Sequence, residues 1–403
     1  MTADLLESLG NIASIDVSGK RVLIRTDLNV PMSGTEVTDA TRIERLLPTF
    51  RDLIARGAKV VILSHLGRPD GKRVAKYSLK PVADKLASLL GAPVLFGEDC
   101  IGPAAEALVA QLAPGQIAML ENLRYHAGEE ANDKDFAAQL AKLGDIYVND
   151  AFSVSHRAHA STEGLTHFLP SYAGPSLLAE IGALKLALDA PARPVAAIVG
   201  GSKVSTKIDV LSHLARKMDY LFIGGGMANT FLFAQGLPVG KSLHEAGAVA
   251  TVEAILAAAA DAGCKIVLPV DAVVAGELKA NAETAIVGVN EVPADKMILD
   301  IGPRSVAEFA AKIAGCKTLL WNGPVGAFEF PPFGEGTFAL ARDAARLTET
   351  AGLVTVAGGG DTVAALNAAG VLEKFSYVST AGGAFLEWLE GRTLPGVAAL
   401  VRK

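Results

Sequence analysis

Short apolar runs, rich in β-branched residues and closed by glycine or a polar side chain, recur along the whole chain. The first half holds RVLIRTD, KVVILSH, APVLF, IAMLEN and IYVND, and the second holds VAAIVGG, YLFIGGG, KIVLPVD, MILDIG, TLLWNG, LVTVAGGG and FSYVSTAGG. Between them lie stretches with helical spacing, such as DATRIERLLPTFRDLIARG, SLKPVADKLASLLG and HEAGAVATVEAILAAAADAG. Strand and helix patterns in alternation predict parallel sheets covered by helices on both faces. Near residue 190, SLLAEIGALKLALDAPARP reads as one long helix that runs into a Pro-rich joint, after which the alternation resumes. The expected fold class is α/β, with two doubly wound, Rossmann-like parallel-sheet domains at residues 1–175 and 193–390. A hinge helix at 176–192 joins them, and residues 391–403 return to the first domain.

A length of 403 residues suits two cores rather than one. Half the residues are hydrophobic and only 6% are aromatic, which fits helices packed closely on sheets and excludes a disordered chain. A net charge of −6 argues against a nucleic-acid binder, so any positive site must be a local cluster. The opening MTADLLESLG lacks the basic start and apolar core of a signal peptide, and no uninterrupted apolar run reaches membrane-spanning length. A cytoplasmic protein without membrane partners is expected. Cys100, Cys264 and Cys316 are too few and too scattered for a disulfide framework or a zinc site, and read as buried small hydrophobes.

One stretch, QGLPVGKS at 235–242, imitates a phosphate-binding loop. Only three residues separate Gly236 from Gly240, and a helix pattern rather than a strand precedes it, so it reads as a turn after a helix. In doubly wound sheets ligands sit beyond the carboxyl ends of the strands. In the first half those ends carry Asp27 and Asn29, His65 and Arg68, Arg124, and His156, Arg157 and His159, while Arg42 opens the first helix. Several guanidinium groups gathered there would hold a small organic phosphate carboxylate through bidentate hydrogen bonds. Each arginine alone reads equally well as a surface residue or an ion-pair partner. His126, His167, His213 and His244 read as hydrogen-bonding residues that order loops. The two histidines of HRAH are three apart with no accompanying Glu motif, which disfavours zinc.

The strand ends of the second half are glycine-rich: VGGSKVSTK, IGGGMANT, NGPVGAFE, AGGGDTVAAL and STAGGAFLEWL. Where glycines run straight into a helix, unpaired N–H groups and the positive end of the dipole face outward, and an anion can come close. Lys203 and Lys207, four apart, are expected on one face of the following helix. Asp361 reads either as a helix N-terminal cap or as a ligand to Mg²⁺.

Taken together, RTDLNVP, SHLGRP, LENLRYHAGEE, HRAHAST, GGSKVSTKI, GGGMANTFL, WNGPVGAFE, GGGDT and STAGGAFLE resemble the phosphoglycerate kinase family, in the family's order and across essentially the whole chain. The resemblance implies reversible, Mg²⁺-dependent transfer of the acyl phosphate of 1,3-bisphosphoglycerate to ADP, giving 3-phosphoglycerate and ATP, directly and in line after hinge closure. The first domain would bind the phosphoglycerate and the second the nucleotide. By motif, Asp27, Asn29, Arg42, His65, Leu66, Gly67, Arg68, Arg124 and Arg157 would hold the acid phosphate. Gly201, Lys203, Lys207, Gly225, Gly226, Asn322, Glu329, Gly359, Gly360, Asp361 and Thr362 would hold the nucleotide, with Asp361 on the metal. Arg42, Lys203, Gly360 and Gly383 would stabilise the transferring group, and the family suggests a monomer. Two other classes of protein share parts of this pattern. A two-domain dehydrogenase needs Gly-x-Gly-x-x-Gly after the first strand of a domain, which neither RTDLNV nor GGSKVS supplies. A non-catalytic two-lobed binding protein for an organic phosphate would leave the paired lysines and Asp361 without a purpose.

Overall fold

The apolar runs become buried strands in two separate units. A computed structural model describes residues 5–401. One unit takes the chain up to Gly182 together with Thr393 onward, and the other takes Ala183–Arg392.

The first unit contains β1 (Arg21–Arg25), the small hairpin of β2 (Met32–Ser33) and β3 (Glu36–Val37), β4 (Lys59–Leu63), β5 (Val94–Gly97), β6 (Ile117–Leu120), β7 (Ile146–Asn149) and β8 (Ser171–Ala173). Six of these form one parallel sheet in the order β5-β6-β4-β1-β7-β8. Residues 22–25 and 60–63 are all buried, because helices cover both faces and each strand must be apolar on both. The helix Thr41–Ala55 buries Ile43, Leu46, Phe50 and Leu53, a stripe of helical period that packs on the sheet. A second helix, Pro175–Leu188, starts where the Asp150 carboxylate accepts the N–H groups of Ser176 and Leu177 at 2.6 and 3.0 Å.

The second unit contains β9 (Val195–Val199), β10 (Tyr220–Ile223), β11 (Lys265–Val267), β12 (Asp271–Ala275), β13 (Thr284–Gly288), β14 (Met297–Ile301), β15 (Thr318–Asn322), β16 (Val354–Gly358) and β17 (Tyr377–Ser379). Its main sheet is also six-stranded and parallel, ordered β11-β10-β9-β15-β16-β17. Not every apolar run joins it. KIVLPVD divides at the proline into β11 and the start of β12, and MILDIG becomes β14 of a separate antiparallel sheet ordered β13-β12-β14. That sheet has one exposed edge, where residues 284–286 of β13 face solvent. Among the described residues no helix is long and apolar enough to cross a membrane.

Candidate functional site

In the first unit the ends of β1, β4 and β6 lie side by side and gather the predicted residues. Asp27 Oδ2 accepts from Arg42 Nη1 and from the Ser153 hydroxyl, and Asp27 Oδ1 accepts the Asn29 N–H at 3.0 Å. Asn29 Oδ1 accepts the Gly67 N–H at 2.8 Å, and Arg124 Nη1 donates to the Gly67 carbonyl at 2.9 Å. Residues from three strand ends are thereby cross-linked. Burial opposes ionisation of Asp27, and the neighbouring His65, the Arg42 guanidinium and the Ser153 hydroxyl together overcome it, so this carboxyl lies below its usual range. Leu66 is buried beside them, while Arg68 and Arg157 are exposed.

A second layer that the sequence did not disclose lies beneath. Arg25, fully buried at the end of β1, donates to Ser161 Oγ at 2.8 Å and contacts His65 Nδ1 at 3.2 Å. Ser161 in turn donates to Glu129, itself fully buried, through its hydroxyl at 2.5 Å and its N–H at 3.0 Å. Burial holds the His65 imidazole well below its ordinary pKa, and the neighbouring Arg25, Arg124 and Arg42 add to the shift. His65 is therefore neutral at pH 7. A guanidinium only donates, so Nδ1 must be the acceptor and Nε2 carries the proton. That leaves an N–H donor on His65 as well as the guanidinium groups, a set suited to an anion. Burial likewise takes His159 down to about 4.

In the second unit the corresponding strand ends offer backbone and small side chains. Lys207 Nζ donates to the Gly200 carbonyl at 2.7 Å and to Asn322 Oδ1 at 2.6 Å, Asn322 Nδ2 donates to the Gly358 carbonyl at 2.8 Å, and the Gly323 N–H donates to Thr362 Oγ1 at 2.7 Å. These bonds tie the ends of β9, β15 and β16 together. A Cβ on Gly200 would stand 1.8 Å from the Pro324 carbonyl oxygen, so the two loops touch through bare backbone. Gly359, with φ +99° before the helix Gly360–Ala368, has no room for a Cβ either, because Asn322 Nδ2 would be 2.7 Å away. Burial lowers the Lys207 ammonium to about 8, against the pull of Asp361.

The lysines correct one expectation. Lys203 and Lys207 do not share a helix face, because SKVSTK forms turns and the helix starts only at Ile208. Lys207 turns back beneath the loop. Beside it opens a cavity of about 380 Å³, lined by Gly201, Gly225, Gly226, Leu243, Val325 and Glu329 among others, with Asp361 at its margin. It is large enough for a small-molecule ligand and mainly apolar. QGLPVGKS lies after the helix Gly225–Ala234, as a turn. Asp300, which the sequence reading passed over inside MILDIG, also lines the cavity, and burial raises its carboxyl to about 8 although it accepts the N–H groups of Gly336 and Ile301. An acid in an otherwise apolar strand was the available signal.

A two-unit α/β protein with buried and half-buried arginines at one set of strand ends and a glycine-lined cavity at the other is the class that this geometry defines. Residues 12–392 match the family model of phosphoglycerate kinase. The chain is 62% identical over 384 residues, 95% of its own length and 96% of its relative's, to the phosphoglycerate kinase of Methylorubrum extorquens strain PA1, and 60% identical to that of Allorhizobium ampelinum, covering 96% of this chain and 97% of the relative. The solved structure of phosphoglycerate kinase from Coxiella burnetii superposes with a TM-score of 0.90 at 42% identity, covering 97% of this chain and 98% of that one. The chain belongs to the phosphoglycerate kinase family.

Proposed function

We propose that this chain is a working phosphoglycerate kinase, a phosphotransferase with a carboxyl acceptor, which moves the acyl phosphate of 1,3-bisphosphoglycerate to ADP and so yields 3-phosphoglycerate and ATP. One observation carries the reading: the family match spans residues 12–392 and takes in both sets of polar strand ends. In the first unit, Asp27, Asn29, His65, Leu66, Gly67, Arg68, Arg124 and Arg157 are assigned to the three-carbon acid phosphate, with the neutral His65 donating through Nε2. Arg42 is assigned to the acyl phosphate. In the second unit, Gly201, Gly225, Gly226 and Glu329 are assigned to the nucleoside, and Lys203, Lys207, Asn322, Gly359 and Thr362 to its phosphate chain. The helix starts at Gly360 and Gly383, neither of which has a side-chain cap, are assigned to that chain as N–H donors.

Transfer is direct. A β-phosphate oxygen of ADP bonds to phosphorus as the bond to the acyl oxygen breaks, and the electron pair leaves on the carboxylate. Both end groups are ionised, so no general base is needed, and the work left to the protein is placement and charge neutralisation. Asp361 suits a magnesium ion brought with the nucleotide, because it is an exposed hard-oxygen donor whose carboxylate makes no hydrogen bond among the described residues. Bound there, the ion would neutralise phosphate charge. We take the chain to act as a cytoplasmic monomer.

The test is 3-phosphoglycerate-dependent formation of ADP from MgATP, run on the parent, Arg42→Ala and Lys203→Ala. Turnover by the parent is expected, with kcat reduced about 10²–10³-fold in each variant, the usual consequence of removing one transition-state partner. A parent that binds both ligands yet releases no ADP would make this a binding protein instead.

A further inference from the structure

β5 and β6 pair in parallel with Gly97 opposite Leu120, so the loops that leave their carboxyl ends run alongside each other. The first loop carries Asp99 and Cys100, and the second, after a short turn at Leu123–Tyr125, carries His126. The thiol, one carboxylate oxygen and one imidazole nitrogen lie within 4.8 Å of one another. His126 Nε2 and Asp99 Oδ1 are already 2.7 Å apart, and the same oxygen accepts the Cys100 N–H at 2.6 Å. The Phe136 ring, 5.2 Å away between centroids, packs on the imidazole.

We infer that Asp99, Cys100 and His126 form a binding site for a borderline-soft divalent cation, of which Zn²⁺ is the fitting example. Three protein donors of sulfur, nitrogen and oxygen type match the ligand chemistry of a four-coordinate zinc centre with one open position. The burial pattern supplies that position. Cys100 is completely covered, whereas Asp99 and His126 keep 39% and 30% of their side chains accessible, so the thiol forms the floor and the rim opens to water. Donors around a zinc ion stand about 3.3–3.8 Å apart, given bond lengths of 2.0–2.3 Å. Reaching that spacing from the present separations of up to 4.8 Å requires the half-exposed Asp99 and His126 side chains to rotate as the ion binds.

Binding exchanges a proton for the ion. Cys100 releases its thiol proton to solvent as sulfur takes the metal, His126 binds through a neutral nitrogen, and no electron is transferred. Burial, with Asp99 and Glu129 nearby, keeps the thiol protonated without metal. A thiolate and a carboxylate then balance the two charges of the ion. Magnesium, a hard cation that demands six oxygen ligands, is excluded by the same donor set, so the site is separate from the one assigned at Asp361. Occupied, it would staple the β5 loop to the turn Leu123–Tyr125.

The experiment is a Co²⁺ titration of the full chain in excess Mg²⁺, followed by absorption. One equivalent should produce the visible bands of four-coordinate cobalt and a near-ultraviolet thiolate-to-cobalt band, both bleached by Zn²⁺. Cys100→Ser should abolish the thiolate band, Cys264→Ser and Cys316→Ser should retain it, and Asp99→Asn and His126→Gln should each weaken binding roughly tenfold or more, since even an outer-shell partner is worth that much. Melting in chelator checks that each variant is folded. If Cys100→Ser does not fold, the half-exposed Asp99 and His126 variants carry the test. The inference fails if no thiolate band forms at any Co²⁺ concentration, if the band survives Cys100→Ser, or if neither the Asp99 nor the His126 variant changes affinity.

Discussion

At the carboxyl ends of β1, β4 and β6 the polar groups are side chains held by other side chains: Asp27 by Arg42 and Ser153, His65 by Arg25, Arg25 by Ser161, and Ser161 by Glu129. At the ends of β9, β15 and β16 they are mostly backbone, held by close contact between glycines and by the amide of Asn322. The difference suits the tasks proposed for the two sites. A small, compact anion is gripped by guanidinium groups whose directions must be fixed, which needs a second buried layer. A long phosphate chain is cradled by N–H groups already fixed by helix starts, which needs only the absence of Cβ atoms. One site therefore fails when a buried partner is removed and the other when any atom is added.

The strongest test of that contrast is Glu129→Gln. It removes one of the two carboxylates, Glu129 and Asp27, that favour the charged form of the fully buried Arg25, and Glu129 acts on it through Ser161, so loss of that buried partner should cost about 3 kcal/mol. Denaturant melts should show a loss of that size, and hydrogen exchange should locate it around β1 and β7 in the first unit. A protein that lost less than 1 kcal/mol would mean that Arg25 is satisfied by Ser161 and the Thr26 carbonyl alone. The counterpart in the second unit is Gly200→Ala. Its methyl would fall 1.8 Å from the Pro324 oxygen, backbone against backbone, so the loops must part at a cost of about 3 kcal/mol, the upper range for overpacking. Nucleotide affinity should fall with it, while 3-phosphoglycerate affinity should not. A Gly200→Ala protein that binds nucleotide normally would refute the idea of a bare-backbone cradle.

What the sequence discloses of this architecture follows the same division. Parallel strands buried on both faces must be apolar, so residues 22–24 and 60–63 announce themselves, and the polar residues that close them mark the site. Glycine runs before helices are as plain. Arg25 was hidden because it sits inside RVLIRTD, where a charged residue at a strand end looks solvated, and only tertiary packing supplies Ser161, 136 positions later. MILDIG was misplaced because an apolar run does not say which sheet it joins, and Lys203 and Lys207 because spacing by four implies one face only if the stretch is helical. Asp99, Cys100 and His126 were unreadable as a cluster, since their proximity comes from the pairing of β5 with β6. Sequence shows periodic burial and local chemistry well, and contacts made by topology poorly.

Three buried groups, two in the first unit and one in the second, make stability depend on pH with opposite signs. His65 and His159 are buried and neutral when folded, with pKa values below those of the unfolded chain, so unfolding takes up protons and stability falls as pH drops below about 6.5. Asp300 is the reverse: its carboxyl stays protonated to about 8 when folded but ionises near 4 when unfolded, so stability falls as pH rises from 4 through 8. Over the one to two pH units that each comparison spans, each effect should amount to about 1–3 kcal/mol. Hydrogen exchange at pH 5.5 and 8.5 should show the surroundings of His65 and His159 loosening at the acid end and those of Asp300 at the alkaline end. Asp300→Asn, which cannot titrate, should lose stability less steeply than the parent between pH 6 and 8. Equal slopes for parent and variant would show that Asp300 does not govern the alkaline loss.

The smallest expected effect probes whether the side-chain layer of the first unit tunes its arginines or merely holds them. The Ser153 hydroxyl and Arg42 share one oxygen of Asp27, and Arg42 keeps about a third of its side chain accessible, in reach of a ligand. Ser153→Ala removes one donor to an ionised acceptor, so folding should weaken by about 1 kcal/mol. Asp27 would then lean on Arg42 more heavily. If the guanidinium is shared between Asp27 and the acid phosphate, the KM for 3-phosphoglycerate should rise about threefold, or roughly 0.7 kcal/mol, with kcat and the KM for MgATP unchanged. If Asp27 only anchors the loop, stability will fall and KM will stay where it was. The split between those two readouts separates a tuned anion site from a rigid one, a distinction that the backbone cradle of the second unit does not admit.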